Sequence, residues 1–98
     1  MGAPTGARPV RSSSRPALAS HVRLAYDRSR GEHVLLGPEA VLVLNPPGAS
    51  VVDLCDGRRT VADIVANLRG RYDRVADEEV ARFLQRLVRK RYVELGDD

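Results

Sequence analysis

The hydrophobic pattern of the chain changes its period once, at the segment Asn45-Pro46-Pro47-Gly48. Before this segment, short apolar runs alternate with polar residues and end at turn residues, which is typical of β-strands. After it, apolar residues recur every three or four positions, which is typical of amphipathic helices. This order favours a sheet followed by helices, and the sequence therefore predicts an α+β domain.

Three short strands are predicted before the change. The first covers residues 22–27, the second covers residues 33–36 and stops at Gly37-Pro38, and the third covers residues 41–44. Because only short turns separate them, we expect a three-stranded antiparallel sheet. The third strand is the last of the meander and is expected at a sheet edge, where unpaired N–H and C=O groups can accept another strand. The alternative is a strand buried on both faces beneath the helices.

Two helices are predicted directly after the change. Asn45 is a good N-cap and proline is tolerated at the first helical position, so the first helix starts here. Gly57 is expected to end it, and its inward residues are Val51, Val52, Leu54 and Cys55. Thr60, with Asp63 three residues later, predicts a capped start for the second helix. The apolar stripe of that helix is Val61, Ile64, Val65 and Leu68, and Gly70 ends it.

The third helix is expected to open at Asp77 or the residue before it. Its core stripe is Val80, Phe83, Leu84, Leu87 and Val88, and residues 93–95 form a short strand-like extension. Four cations, Arg82, Arg86, Arg89 and Lys90, are placed opposite this stripe. They form either a solvated face or a cationic rim for an acidic partner.

The first twenty residues differ in composition from the rest. They contain three prolines, two glycines and a Ser12–Ser14 run, and their basic residues have no acidic partners. Such a segment buries too little apolar surface to offset the entropy of ordering. We therefore predict a disordered arm over residues 1–20 and a folded domain over residues 21–98. The net charge of +3 belongs to the arm, because residues 21–98 hold 13 basic and 13 acidic residues.

No catalytic or metal constellation is evident. Cys55 is the only cysteine, so a site built from several thiolates within one chain is excluded, and we interpret Cys55 as a buried structural residue. The motifs of phosphate loops, zinc proteases and serine hydrolases are absent. No apolar run is long enough to span a membrane. We predict no enzyme activity, no cofactor and a cytoplasmic location.

Residues 35–68 carry a resemblance to a known family. The features are Leu44-Asn45, a glycine before a short helix (Gly48), Leu-x-Asp-Gly at 54–57, and Thr-Val-x-x-Ile at 60–64. In this order and spacing the chain resembles the PqqD family of pyrroloquinoline quinone biosynthesis proteins, over about residues 21–95. That family belongs to the peptide-recognition elements of ribosomal peptide maturation, which share a winged-helix-like fold. The resemblance therefore implies a winged-helix-like domain, with the three-stranded sheet followed by a three-helix bundle.

The resemblance also implies a function, that of a non-catalytic peptide chaperone. Members bind a small ribosomal precursor peptide (PqqA-like) and present it to a radical S-adenosylmethionine enzyme (PqqE-like) that cross-links a Glu and a Tyr. In related elements the peptide adds to the third strand and packs against the third helix. The implied peptide-binding residues are Val41, Leu42, Val43, Leu44, Arg82, Phe83, Arg86, Leu87 and Lys90. Because residues 1–20 lie outside the resemblance, we expect that they are dispensable for binding.

The alternative function is that of a winged-helix DNA-binding regulator, in which the third helix enters a groove. The neutral charge of residues 21–98 and the acids at the start of the third helix count against it. We expect neither a nucleic acid nor a membrane among the partners. The oligomeric state stays open, and a homodimer is one option.

Overall fold

The computed structural model describes residues 9–96 of the chain. In chain order, its elements are β1 (Pro16–Leu18), β2 (Arg23–Asp27), β3 (Glu32–Leu36), β4 (Val41–Leu44), α1 (Pro46–Asp53), α2 (Val61–Arg69), α3 (Asp77–Arg89) and β5 (Val93–Leu95). β2, β3 and β4 form an antiparallel sheet in that order. The predicted α+β class, with a three-stranded sheet followed by three helices, is confirmed. No helix within the described residues is long and apolar enough to cross a membrane.

The first helix begins as expected and ends earlier than expected. The Asn45 side chain accepts a hydrogen bond from the N–H of Gly48 at 2.8 Å, and proline occupies the first turn. The helix ends at Asp53, so the prediction that it continues to Gly57 is wrong. Leu54 and Cys55 are buried beyond its end. Gly57 instead adopts a left-handed φ of 79° in the following turn, where its N–H donates to the C=O of Pro16.

The capped start of the second helix is confirmed. The Thr60 hydroxyl accepts from the N–H of Asp63 at 3.1 Å, and the Asp63 carboxylate accepts from the N–H of Thr60 at 3.0 Å. The N–H of Thr60 and its hydroxyl together hold the pKa of the Asp63 carboxyl below its ordinary value. All four residues of the predicted apolar stripe are buried, and Gly70 is the C-cap. Local capping signals thus define α2 at both ends.

The N-terminal segment corrects the predicted disordered arm for its described part, residues 9–20. β1 pairs with β5 in a second, two-stranded antiparallel sheet. The carbonyls of Ser12 and Ser14 accept from the N–H groups of Ala62 and Val61, which open α2. Ser14 is buried, and its hydroxyl accepts from the N–H of Arg11. Ordered structure therefore begins before His21, and the part of the predicted arm over residues 1–8 lies outside the described residues.

The core consists of two clusters that meet at α3. One lies between the three-stranded sheet, α1 and β5 and includes Leu35, Leu44 and Leu87. The other lies among the helices and includes Ile64, Leu68 and Leu84. Phe83 packs partly buried against both clusters. This position leaves one side of the Phe83 ring available to line a surface groove.

Candidate functional site

The main chain of β4 is open on one side. The N–H of Gly37 donates to the C=O of Ala40 at 3.0 Å, so these residues form a hydrogen-bonded pair at the turn before β4. Hydrogen-bonded and non-hydrogen-bonded pairs alternate along an antiparallel ladder. Leu42 therefore bonds to β3, while the N–H and C=O groups of Val41 and Val43 point away from it. No other strand of residues 9–96 pairs with this edge, so the expected sheet edge is confirmed.

The side chains of β4 exclude the alternative of a doubly buried strand. Leu44 is buried in the core and Leu42 packs against it. Val41 and Val43, on the other face, are 61% and 49% exposed. A strand with one packed face, one exposed face and one open edge can accept a further strand without rearranging the core.

A groove of about 710 Å³ lies between β4 and α3. One wall is formed by β4 and the start of α1, and the opposite wall by α3. The segment before α3 contributes Tyr72, Arg74, Val75 and Ala76. We call this feature the β4–α3 groove. Its α3 wall is lined by Glu79, Val80, Arg82, Phe83, Arg86, Leu87 and Lys90.

Phe83 is held in the groove by the start of α1. A Cβ atom on Gly48 would lie 3.2 Å from Cζ of Phe83 and 2.9 Å from Oδ1 of Asn45. The ring thus packs directly against the helix backbone where Asn45 caps it. On the α3 side, the guanidinium carbon of Arg86 lies 5.8 Å from the ring centroid, within the range of a cation–π interaction. The groove therefore combines an aromatic surface with a positive charge above it.

Three of the four cations of α3 lie in the groove, although helical periodicity alone places all four opposite the core stripe. Arg82, Arg86 and Lys90 line the groove, whereas Arg89 does not. The placement of all four opposite the core stripe is therefore wrong for these three, since they share the groove with Phe83 and Leu87 of that stripe. The physical reason is that the stripe is wider than the core it covers, so its Phe83 edge and the neighbouring cations face the same opening.

Eight of the nine residues named from the sequence line the groove. The exception is Val41, which is exposed at the start of β4 beyond the lining residues. Sequence reasoning missed the α2–α3 segment with Arg74 and Val75, because no periodic signal marks a loop that turns back onto a neighbouring strand. Asn45 and Gly48 are named for the helix start and for the family resemblance, and neither is predicted to lie beside Phe83. The available signal is a glycine three residues after the N-cap, a position where a small residue leaves room for a neighbouring ring.

Cys55 has no features of a nucleophile. It is buried, and its Sγ donates to the C=O of Val51 at 3.2 Å. Burial, with the nearby Asp56 carboxylate as a smaller cause, raises the pKa of the thiol to about 12. The reactive thiolate is therefore scarce at neutral pH. Across residues 9–96, no three His, Cys, Asp or Glu side chains are close enough together to hold a metal ion.

Comparison with known proteins identifies the family. The family model described as Coenzyme PQQ synthesis protein D (PqqD) matches residues 32–93. This range is more than half of the chain and contains β3, β4 and all three helices. The chain belongs to the PqqD family. Both walls of the β4–α3 groove therefore lie inside the PqqD match, whereas β1 and β2 precede it.

Individual relatives agree with the PqqD assignment. The chain is 43% identical over 63 residues to a PqqA binding protein of Rhodopseudomonas palustris, covering 64% of this chain and 62% of that protein. It is 40% identical over 72 residues to a PqqA binding protein of Pseudomonas paraeruginosa, covering 71% of this chain and 78% of that protein. The chain spans less than two thirds of the length of the Rhodopseudomonas palustris relative.

A solved PqqD structure shares the fold. The solution NMR structure of the PqqD truncation of Methylobacterium extorquens PqqCD matches with a TM-score of 0.75 and 35% sequence identity. The match covers 87% of this chain and 94% of that chain. That truncation is a functional, stand-alone recognition element for ribosomally synthesized and post-translationally modified peptides. The PqqD fold thus extends over most of the present chain, including elements outside the family match.

Proposed function

We propose that this protein is a non-catalytic recognition element that binds a PqqA-type precursor peptide in pyrroloquinoline quinone biosynthesis. The peptide adds as a strand to the open edge of β4 and lies in the β4–α3 groove. The observation that supports this most directly is the pair of outward-pointing main-chain groups on Val41 and Val43, directly beside the groove. In strand addition, main-chain hydrogen bonds supply affinity and side-chain pockets supply specificity.

The proposed contacts follow from the two walls. Side chains of the peptide that point into the groove meet Phe83 and Leu87, which line it. The Phe83 ring is partly buried and Leu87 is buried. The charged ends of Arg82, Arg86 and Lys90 stand above these two side chains and meet acidic groups of the peptide. Val41 to Leu44 bind through their main chain.

We also propose that the protein presents the peptide to a PqqE-like radical S-adenosylmethionine enzyme. A peptide added to β4 keeps one row of its side chains beside the exposed Val41 and Val43. That row, and the peptide residues beyond the groove, stay accessible to a second protein. The enzyme can therefore contact the peptide without displacing it.

An NMR titration tests the binding site. We expect a PqqA-type precursor peptide to shift the backbone amides of residues 41–44 and 79–90, while a peptide of the same composition in scrambled order does not. The amides of Val41 and Val43 are the most informative, because their N–H groups form the new hydrogen bonds. Shifts confined to α2 and residues 9–20 would contradict the groove.

Two further measurements test the partner and the alternative function. Addition of the PqqE-like enzyme to the protein–peptide complex is expected to give a ternary complex in size-exclusion chromatography. If no ternary complex forms, the proposal that the protein presents the peptide to this enzyme is contradicted. Duplex DNA is expected to bind weakly, because the exposed acids at the start of α3 oppose phosphates where a recognition helix would enter. Specific DNA binding with a steep salt dependence would instead favour the DNA-binding regulator.

A further inference from the structure

The groove contains positive charges that form no ion pair among residues 9–96, although Glu79 also lines it. Arg82, Arg86 and Lys90 line it at intervals of four residues and are exposed; we call them the cationic strip. The ion pairs formed among residues 9–96 lie elsewhere, at Asp27–Arg30, Asp56–Arg59 and Asp77–Arg69. Like charges this close on a helix repel one another. The strip is therefore stabilised by any ligand that brings carboxylates to it.

The middle member of the strip, Arg86, is positioned by a contact with the groove. Arg86 lies over the Phe83 ring, and Phe83 is in turn held against Gly48 and Asn45. This chain of contacts directs the Arg86 guanidinium over the groove. A charge with a defined position can select the spacing of its partners as well as their sign.

For a strand that lies along α3, the spacing of the strip matches the spacing of its side chains. Residues four apart on a helix are separated by about 6 Å along its axis. Residues two apart on a strand are separated by about 6.8 Å. Over the whole strip the mismatch grows to only about 1.6 Å, which long Arg and Lys side chains can absorb.

The face of the added strand is also defined. Leu42 and Leu44 point from β4 to the side of the sheet that packs against α3. In a strand added beside β4, the side chains next to these two residues point to the same side. Only every second residue of the peptide therefore faces the cationic strip.

We propose that the groove selects a peptide segment in which carboxylate side chains recur at alternate positions. This inference rests on the proposed function, and it specifies the chemistry of the segment that the groove recognises. Carboxylates at i and i+2 lie on one face of the strand and reach two successive members of the strip. Carboxylates at i and i+3 lie on opposite faces, so only one of them reaches it.

Two isomeric peptides test the spacing without any change to the protein. Both carry the PqqA-type precursor sequence with Asp and Glu replaced by Asn and Gln, except for two Glu residues. These are placed at i and i+2 in one peptide and at i and i+3 in the other. We expect the i, i+2 isomer to bind about threefold to fivefold more tightly at low salt, the size of one additional exposed charge pair. At about 0.5 M salt the difference should largely disappear.

Variants of α3 assign the effect to the strip. Arg86→Gln is expected to reduce the preference for the i, i+2 isomer to about onefold to twofold. Arg89→Gln is the matched control, because Arg89 lies on the same helix outside the groove, and it should leave the preference unchanged. Equal affinities of the two isomers for the unchanged protein, or an equal effect of the two variants, would overturn the proposal.

The unsubstituted precursor peptide separates this failure from failure of the proposed function. If that peptide shifts the amides of residues 41–44 and the isomers bind equally, only the spacing rule is wrong. If it shifts none of them, strand addition itself is wrong. Displacement of the peptide by duplex DNA, at a phosphate concentration equal to the carboxylate concentration of the peptide, would also overturn the proposal. The strip would then bind any polyanion.

Discussion

The ring of Phe83 lies against Gly48 so closely that a Cβ atom at position 48 would come within 3.2 Å of its Cζ. The same Cβ would be 2.9 Å from Oδ1 of Asn45, which accepts the N-cap hydrogen bond of α1. One small residue thus links the start of α1 to the aromatic floor of the groove. A side chain at position 48 would require the Asn45 cap or the Phe83 ring to move.

Gly48→Ala is expected to destabilise the protein by about 1 kcal/mol or more, because the added methyl group breaks the cap or displaces the Phe83 ring. Helix propensity alone predicts the opposite sign, since alanine stabilises a helix interior relative to glycine by about 0.5–1 kcal/mol. Urea unfolding measures the difference. Gly70→Ala is the control, because its Cβ would meet only the Asn67 carbonyl at 3.4 Å. Equal effects of the two substitutions would contradict the packing argument.

Removal of residues 9–19 is expected to destabilise the fold. A chain that begins at Ser20 loses β1 and the two carbonyls that accept from the N–H groups of Val61 and Ala62. At about 1 kcal/mol for each hydrogen bond, the loss is at least about 2 kcal/mol. A chain that begins at Pro9 retains these contacts and is the control. Amide exchange at Val61 and Ala62 should rise only in the shorter chain, and equal unfolding free energies of the two chains would contradict this role of the segment.

The sequence predicted the elements whose signals are local. Asn45 and Thr60 are caps that act within one helical turn, and the apolar stripe of α2 needs no knowledge of its neighbours. β1 was missed because its partner is at the far end of the chain. Nothing in a Pro- and Ser-rich segment indicates that β5 will pair with it, since strand pairing over such a separation is a tertiary property.

Periodicity alone does not give the charge pattern of the groove, whereas the family resemblance names Arg82, Arg86 and Lys90. Helical periodicity separates the apolar side of a helix from its polar side. It does not show how much of the apolar side is covered by neighbouring elements. Periodicity alone therefore assigns Phe83 and Arg86 to opposite faces, although the structure places both in one groove. Which residues of α3 remain uncovered depends on how far β4 stands from the helix, and that distance is set by the whole core.

The Cys55 thiol is expected to make stability fall at alkaline pH. Burial raises its pKa from 9.0 to about 12, so the folded state holds the proton that the unfolded chain releases above pH 9. The contribution is complete below pH 9 and is lost as pH rises toward 12, by up to about 1.4 kcal/mol per pH unit. Urea unfolding between pH 8 and about pH 10 compares the protein with Cys55→Ser, which lacks this group but retains a donor to Val51. A constant difference between the two proteins would contradict the buried neutral thiol.

Proline at position 43 is expected to separate binding from folding. The N–H of Val43 points to the open edge of β4, so Val43→Pro removes a donor that the peptide needs and that the folded protein does not use. Peptide affinity should fall about tenfold, the equivalent of one main-chain hydrogen bond with a poorer fit.

Val43→Ala controls for the lost side chain and should change affinity less. Leu42→Pro controls for the strand, because it removes a hydrogen bond to β3 and should lower the unfolding free energy far more than Val43→Pro does. Isothermal titration and urea unfolding of the three variants measure both quantities, and a Val43→Pro protein that binds as tightly as Val43→Ala would exclude strand addition at this edge.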